Sequence, residues 1–207
     1  MPLQNRVLPD GSLVAAAARG TMMGNRGGAF HDADQTLRSR HWHSRQWICC
    51  VLQFKGRRRQ VMQPRRYTEL FFLDEATALS AGHRPCFECR RDAANDFATR
   101  WNAVRGLPGR AAADDMDRIL HAERLDGRGH KRTHVADIAS LPDNALIVFD
   151  GAPARVCGRH IQSWSLDGYQ GLRPRPVRGD VHLLTPPAIA AVLGAGYGPM
   201  LHTTAAP

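Results

Sequence analysis

The stretch YTELFFLDEATALSAGHRPCFECRR, residues 67–91, carries the strongest local signals in this chain. Its apolar beginning predicts a strand, and Asp74 predicts the N-cap of a short helix, EATALSA, that Gly82 ends. A proline then precedes the pair Cys86 and Cys89, at the start of a longer predicted helix. In a Cys-x-x-Cys pair both sulfurs can face one ion, and the helix N-terminus favours the thiolate form. The stretch therefore predicts half of a metal site.

The same residues resemble the second half of the Ada-type metal-binding domain of bacterial alkylation-response proteins, in which Gly-aromatic-Arg-Pro-Cys-x-x-Cys precedes a long helix. The matching residues are Gly82, Arg84, Pro85, Cys86 and Cys89, with His83 in the aromatic position. The resemblance implies bound Zn²⁺, a link to DNA repair or processing, and alkyl transfer to a zinc-bound cysteine. The family's acceptor cysteine is followed by Arg-Pro, and neither upstream cysteine of this chain has that sequence after it.

The remaining metal ligands are expected upstream. Cys49 and Cys50 are adjacent in the predicted strand WICCVLQF, where neighbouring side chains point to opposite faces, so one is expected to bind the ion and the other to pack, with Cys50 slightly favoured. The fourth ligand is open between His43, His41, His31, the second cysteine and a water molecule. A water ligand would make the site catalytic in type, whereas closed cysteine-rich sites are usually structural, so structural zinc is favoured here.

Charge points to an anionic partner. The 207 residues include 28 Lys+Arg against 19 Asp+Glu, a net charge of +9, and nearly all of these cations are arginine. The planar guanidinium pairs bidentately with phosphate or guanine, which favours DNA or RNA as a partner, although GC-rich coding also enriches arginine. The candidate contacts are basic residues around the metal half-site: Lys55, Arg57, Arg58, Arg59, Arg65, Arg66, Arg90 and Arg91. Trp42, Trp47 and Tyr67 are candidates for stacking on bases.

A second group of candidates lies on a helix predicted from 114 to 125. Glu123 falls on its apolar face, where a carboxylate either pairs with an arginine or acts as a general acid or base with a raised pKa. The abundance of arginine favours the ion pair. Together with the nearby His121, Glu123 is the candidate for a phosphodiester-cleaving site.

The overall pattern predicts an α+β protein in three segments. Residues 1–105 form a zinc-stabilised β-hairpin and helix module, with the hairpin turning at Lys55-Gly56; residues 106–140 form a helical connector with a basic loop; residues 141–207 form a small β-rich unit with a C-terminal helix that Thr185 caps. No apolar run reaches about 18 residues and the N-terminus does not resemble a signal peptide, so no membrane association and a cytoplasmic location are expected.

Three functions are compatible with these patterns. The first is a zinc-binding protein that interacts with nucleic acid through its arginines. The second is an enzyme, either an alkyl acceptor at a zinc-bound cysteine or a nuclease that uses a metal and histidine. The third is a protein–protein adaptor with structural zinc. Five cysteines, an odd number, do not suggest a disulfide framework.

Overall fold

The computed structural model describes residues 1–57 and 60–206. This part of the chain contains two six-stranded sheets and four α-helices, which confirms the α+β class. The strands of the first sheet are β1 Gln4–Val7, β2 Leu13–Ala15, β3 Met22–Arg26, β4 Trp47–Val51, β5 Leu70–Phe72 and β6 Arg84–Pro85. Those of the second are β7 His134–Asp137, β8 Leu146–Phe149, β9 Ala152–Cys157, β10 His160–Ser165, β11 Gly168–Pro174 and β12 Asp180–Leu183. The helices are α1 Glu75–Ser80, α2 Arg91–Ala103, α3 Ala113–Arg124 and α4 Pro187–Gly194.

The two sheets differ in topology. The first is mixed, with strand order β2-β1-β5-β3-β4-β6, and its β1–β5 and β4–β6 pairs are parallel. The second is antiparallel throughout, with order β11-β10-β9-β8-β12-β7. The largest buried cluster joins side chains of α2, α3, α4 and the second sheet, so all three segments predicted from the sequence contribute to one core.

The helices predicted around the Cys-x-x-Cys pair are confirmed. Asp74 caps α1 and accepts a hydrogen bond from the Thr77 N–H at 2.9 Å. Every residue of α1 is buried, because this short helix lies between the first sheet and β8. The apolar face of α2 places Phe97 and Trp101 in the large core.

The predicted hairpin at Lys55-Gly56 is wrong. Both residues have positive φ and form a turn, but β4 pairs with β3 on one side and with β6 on the other. The second strand was expected within residues 57–62; of these, 57 and 60–62 lie in turn and loop, and 58 and 59 lie outside the described residues. An apolar run identifies a strand, but its partner is set by which strand edges the rest of the fold brings alongside.

The C-terminal half also differs from the prediction. Part of the expected basic loop forms β7, whereas the β-rich unit predicted for residues 141–207 contributes β8 to β12. Pro174 is tolerated because it ends an edge strand. Thr185 does not cap α4: its hydroxyl accepts the Leu146 N–H at 2.9 Å, and the residue before the helix is Pro186.

A buried carboxylate connects the first sheet, the Cys-x-x-Cys turn and the C-terminal segment. Glu75, the first residue of α1, is fully buried and accepts two hydrogen bonds from the Arg90 guanidinium, at 2.5 and 2.7 Å. It also accepts from the Tyr197 hydroxyl at 2.6 Å and from the Met200 N–H at 2.7 Å. Four donors therefore satisfy both oxygens of one buried acid.

The neighbouring carboxylate extends this connection to the second sheet. One oxygen of Asp74 caps α1, and the other accepts from the Tyr169 hydroxyl at 2.9 Å and the His202 N–H at 3.1 Å. Since Tyr169 belongs to β11, these two acidic residues join both sheets to the end of the chain.

Replacing Glu75 by glutamine tests how much this connection contributes to stability. The change leaves the buried Arg90 charge uncompensated, so we expect the free energy of unfolding to fall by about 3–5 kcal/mol, measured by denaturant titration. The matched control is Asp96→Asn, which removes the more exposed i,i+4 pair with Arg100 and should cost about 0.3–0.5 kcal/mol. Equal losses in the two variants would contradict the structural role of Glu75.

Candidate metal centre and adjoining cavity

The two vicinal cysteines lie on opposite faces of β4. Cys49 is fully buried and packs with Phe72 and Ala78 in the core beneath the first sheet. Cys50 lies on the other face, beside a cavity. The alternation expected of a strand thus separates the two thiols, and the structure removes Cys49 from the candidate ligands.

Three cysteines meet on the cavity side of the sheet. The sulfurs of Cys50, Cys86 and Cys89 all lie within 4.8 Å of one another, so this cluster is able to hold a metal ion. Sulfurs bound at about 2.3 Å to one tetrahedral ion lie about 3.8 Å apart, so a cluster within 4.8 Å is compatible with one bound ion.

The sheet itself brings the Cys-x-x-Cys turn to Cys50. The short strand β6 pairs in parallel with β4, with Cys49 opposite Pro85, and the Cys86 N–H donates to the Cys49 carbonyl at 3.0 Å. This pairing places the residue after Pro85 next to the residue after Cys49. The proximity of the ligands therefore follows from backbone pairing.

Local hydrogen bonds favour thiolates at the Cys-x-x-Cys pair. A hydrogen bond from the Cys50 thiol lowers the pKa of Cys86 to about 5, and the N–H groups of Cys89 and Glu88 act in the same direction, against the effect of burial. A hydrogen bond from Cys50 likewise lowers the pKa of Cys89. The hydrogen bonds that Cys50 donates, together with burial, raise its own pKa. Binding of a cation would displace the protons that these sulfurs share.

A cavity of about 790 Å³ opens beside the three thiols. Its walls come from the exposed face of β3, β4 and β5 and from the segments that connect β4 to β5. The apolar part of the lining includes Met23, Ile48 and Phe71, and its polar part includes Asn25 and Glu69. All three cysteines of the cluster belong to the lining, so a bound ion would adjoin the cavity.

The candidate histidines lie outside the cysteine cluster. His31 is buried and its ring nitrogens contact the Thr68 hydroxyl at 2.6 Å and the Gln63 carbonyl at 3.2 Å. His41 and His43 belong to the loop before β4, and neither joins the cluster. Within residues 1–57 and 60–206, no histidine, aspartate or glutamate completes a fourth ligand.

The basic residues proposed to contact nucleic acid differ in their exposure. Lys55 and Arg57 are exposed at the cavity, where Arg57 pairs with Glu88 at 2.7 Å. Exposed positions away from that lining are occupied by Arg65, Arg66 and Arg91, whereas Arg58 and Arg59 lie outside the described residues. Arg90 is buried against Glu75, so its charge is not available to a nucleic acid.

Trp47 cannot stack on a base. It is buried, and the guanidinium groups of Arg26 and Arg124 lie over its ring at 4.0 and 3.9 Å from the centroid. The Trp47 ring therefore makes cation–π contacts with two buried arginines inside the core. Trp42 is partly exposed and packs edge-on against His121, with ring centroids 4.7 Å apart.

The proposed catalytic pair does not line the cavity. The Glu123 carboxylate accepts the Ala188 N–H at 2.9 Å and so caps the first turn of α4, and burial raises its pKa. No ion pair joins it to an arginine within the described chain. Burial and then the charge of Arg124 lower the pKa of His121 to about 4. Both residues therefore have structural contacts that account for their positions.

One cavity residue was not anticipated from the sequence. Glu69 precedes β5, is only 2% exposed and lines the cavity on the same face as Phe71. The available signal was its place two residues before Phe71 in a strand-like run, since alternate residues share a face.

Comparisons with known proteins identify no relative: no protein-family model, no curated protein and no solved structure matches this chain. Within residues 1–57 and 60–206, no helix has both the length and the apolar character needed to cross a bilayer.

Alanine substitutions at the two vicinal cysteines test the assignment of the cluster. We expect Cys50→Ala to lower the affinity for metal by about tenfold or more, because it removes one of three thiolates. Cys49→Ala is the matched control and should keep one equivalent of metal, since its side chain faces the core. Mass spectrometry measures the metal content of both variants, and competition with a chelator measures their metal affinity. Loss of metal from the Cys49 variant alone would contradict the assignment of Cys50 as the ligand.

Proposed function

We propose that this protein is a zinc-dependent enzyme, in which Cys50, Cys86 and Cys89 hold Zn²⁺ in the wall of a substrate cavity. The observation that supports this proposal is that all three thiols of the cluster also line the cavity. A catalytic zinc site keeps three protein ligands and one position for water or substrate, whereas a structural site has four protein ligands.

The donor set favours zinc. Soft thiolates select zinc, copper(I) or iron–sulfur clusters over hard cations, and zinc accepts a tetrahedral site of this composition without redox chemistry. When bound in such a site, zinc supplies a Lewis acid and lowers the pKa of a coordinated water. The reaction class that we propose is therefore metal-assisted hydrolysis.

The chain's own contribution is to bind and orient the substrate. The cavity falls within the range of about 300–1,000 Å³ that is typical of small-molecule sites. Its apolar surface at Ile48 and Phe71 would exclude water from one side of a ligand, and its polar groups would orient the other side. Alkyl transfer, as implied by the Ada-type resemblance, has less support because Val51 and Leu52 follow Cys50 where the family has Arg-Pro.

Cobalt substitution tests whether the fourth position is open. We expect the protein with Co²⁺ in place of zinc to change its visible ligand-field absorption when azide or imidazole is added, because each can occupy a position that no protein group fills. A spectrum that is unaffected by either compound at saturating concentrations would indicate four protein ligands and would contradict the enzyme proposal.

Nucleic-acid binding is a second candidate function, favoured by the exposed cations at the cavity. Lys55 and Arg57 lie on its lining, and Arg65 and Arg66 are exposed in the segment that leads to Tyr67. A polyanion bound along this segment would bring a nucleotide to the cavity. The net charge of +9 would favour its approach from a distance.

A salt titration of binding to duplex DNA and to single-stranded RNA tests this second candidate. If Lys55 and Arg57 contact phosphates, the double variant Lys55→Gln/Arg57→Gln should weaken binding and reduce the slope of log K against log salt by about 1.8 for duplex DNA. The matched control changes two exposed arginines elsewhere, Arg128→Gln/Arg132→Gln, and should keep the contacts. The same slope in both double variants would remove this surface from the interface.

A further inference from the structure

A side pocket of about 430 Å³ adjoins the cavity beside the three thiols. The pocket and the cavity share Leu52, Val61 and Phe71 as wall residues, so the two lie side by side. The other residues of the pocket lining come from the start of the chain, between positions 2 and 20, and include Arg6 and Arg19. Among the described residues that line this side pocket, none is acidic.

The two arginines of the side pocket lie near each other without a counter-charge. Burial lowers the pKa of Arg6, and the charge of Arg19 lowers it further. Within residues 1–57 and 60–206, neither arginine belongs to an ion pair. The residues outside that part of the chain are Arg58, Arg59 and Pro207, so no acidic side chain remains that could pair with them. The side pocket is therefore suited to an anionic group.

The Arg6 guanidinium is held in place by its own contacts. Its Nε donates to the Ala18 carbonyl at 2.5 Å, and its Nη1 donates to the Asn5 side-chain oxygen at 2.5 Å. The group also lies over the Phe71 ring, 4.9 Å from the centroid. These hydrogen bonds use two of the five N–H groups of a guanidinium, so an anion would meet a donor group that is already oriented.

A cross-strand row connects Arg6 to the cysteine cluster. Arg6 is opposite Phe71 across β1 and β5, and Phe71 is opposite Met23 across β5 and β3. Met23 is in turn opposite Cys50 across β3 and β4. Residues paired in this way lie on one face of a sheet. Three strand spacings separate β1 from β4, about 14 Å, but the guanidinium lies over Phe71, which leaves about two spacings, or 10 Å, to Cys50.

We propose that the substrate has a carboxylate or phosphate group at one end, which Arg6 and Arg19 bind in the side pocket, while its other end reaches the cysteine cluster. Guanidinium groups pair bidentately with both kinds of anion. The side chains of Phe71 and Met23 would contact the apolar body of the molecule between the two ends. This inference rests on the proposed function, because it names the substrate class of the same metal site.

Octanoate and octyl phosphate are suitable probes, with neutral octanamide and cationic octylamine as matched controls of the same chain length. We expect the zinc-loaded protein to bind at least one of the two anions in calorimetric titration, and to bind both controls at least about tenfold more weakly. The tighter of the two anions identifies the group that the pocket accepts. Octylamine binding as tightly as the anions, or no binding of either anion at millimolar concentration, overturns the inference.

Three variants assign the selectivity to the side pocket. Arg6→Gln should weaken binding of the preferred anion by about tenfold or more, because it removes the oriented guanidinium. Arg19→Gln removes an exposed charge and should weaken it by about threefold. The matched control is Arg128→Gln, at an exposed position outside the pocket lining, and should change the dissociation constant by less than about twofold. Equal effects at Arg6 and Arg128 overturn the inference. The probe preference of the wild type and the Arg19 variant keep it testable if Arg6→Gln fails to fold.

A thiol at the far end of the same chain tests the span. In the zinc-loaded protein, mercaptooctanoate with a terminal thiol should bind at least about tenfold more tightly than octanoate, because its sulfur can occupy the open position on the metal while its carboxylate contacts Arg6. Mercaptopropionate has the same two groups but is too short to reach both sites. It should lack this advantage.

The cobalt-substituted protein separates failure of this inference from failure of the proposed function. If mercaptopropionate changes the ligand-field absorption but mercaptooctanoate binds no more tightly than mercaptopropionate, the open metal position is supported and the inference is overturned. If neither thiol changes the absorption while octanoate binding still depends on Arg6, the zinc enzyme is contradicted and the anion pocket is supported.

Discussion

The buried pair between Glu75 and Arg90 connects the parts of this structure that matter for the site. Glu75 begins α1 beneath the first sheet, and Arg90 directly follows the second cysteine of the Cys-x-x-Cys turn. Tyr197 and Met200 add donors from the end of the chain. A carboxylate buried this deeply is tolerable only if its charge is paired and its remaining lone pairs are bonded. The position of the Cys-x-x-Cys turn is thus coupled to the packing of the C-terminal segment.

Side chains alternate between the two faces of the first sheet, so that one face packs in the core and the other lines the candidate site. On the inner face, Cys49 and Phe72 pack against α1; on the outer face, Cys50 and Phe71 line the cavity. Parallel pairing of β6 with β4 then brings Cys86 alongside Cys50. Three thiols that are separated by up to 39 positions in the chain converge without any long side chain having to reach across the fold.

Buried charge is used in two different ways in this protein. Arg26 and Arg124 lose their solvent shells against Trp47, and burial lowers the pKa of both, but backbone carbonyls accept from their guanidinium groups. These groups stabilise the inner face of the sheet. Glu69 is likewise buried, and one of its carboxylate oxygens has no hydrogen-bond partner in the described chain.

The sequence by itself determined the local features: the α+β class, the capped helix α1, the amphipathic helix α2, the paired thiols of Cys86 and Cys89, and the rule that Cys49 and Cys50 face opposite ways. Capping, helical periodicity and strand alternation act over a few residues, so they can be recognised in a short segment of sequence. Only the tertiary structure decided that Cys50, and not Cys49, lies beside the Cys-x-x-Cys turn. It also decided that β4 pairs with β3 and does not form the hairpin expected at Lys55-Gly56. The burial of Arg90 and the exposure of Lys55 likewise depend on the tertiary structure. Only it revealed the cavity and Glu69. These features depend on which strands lie side by side, and strand pairing is set by packing between residues far apart in the chain, which local pattern does not encode.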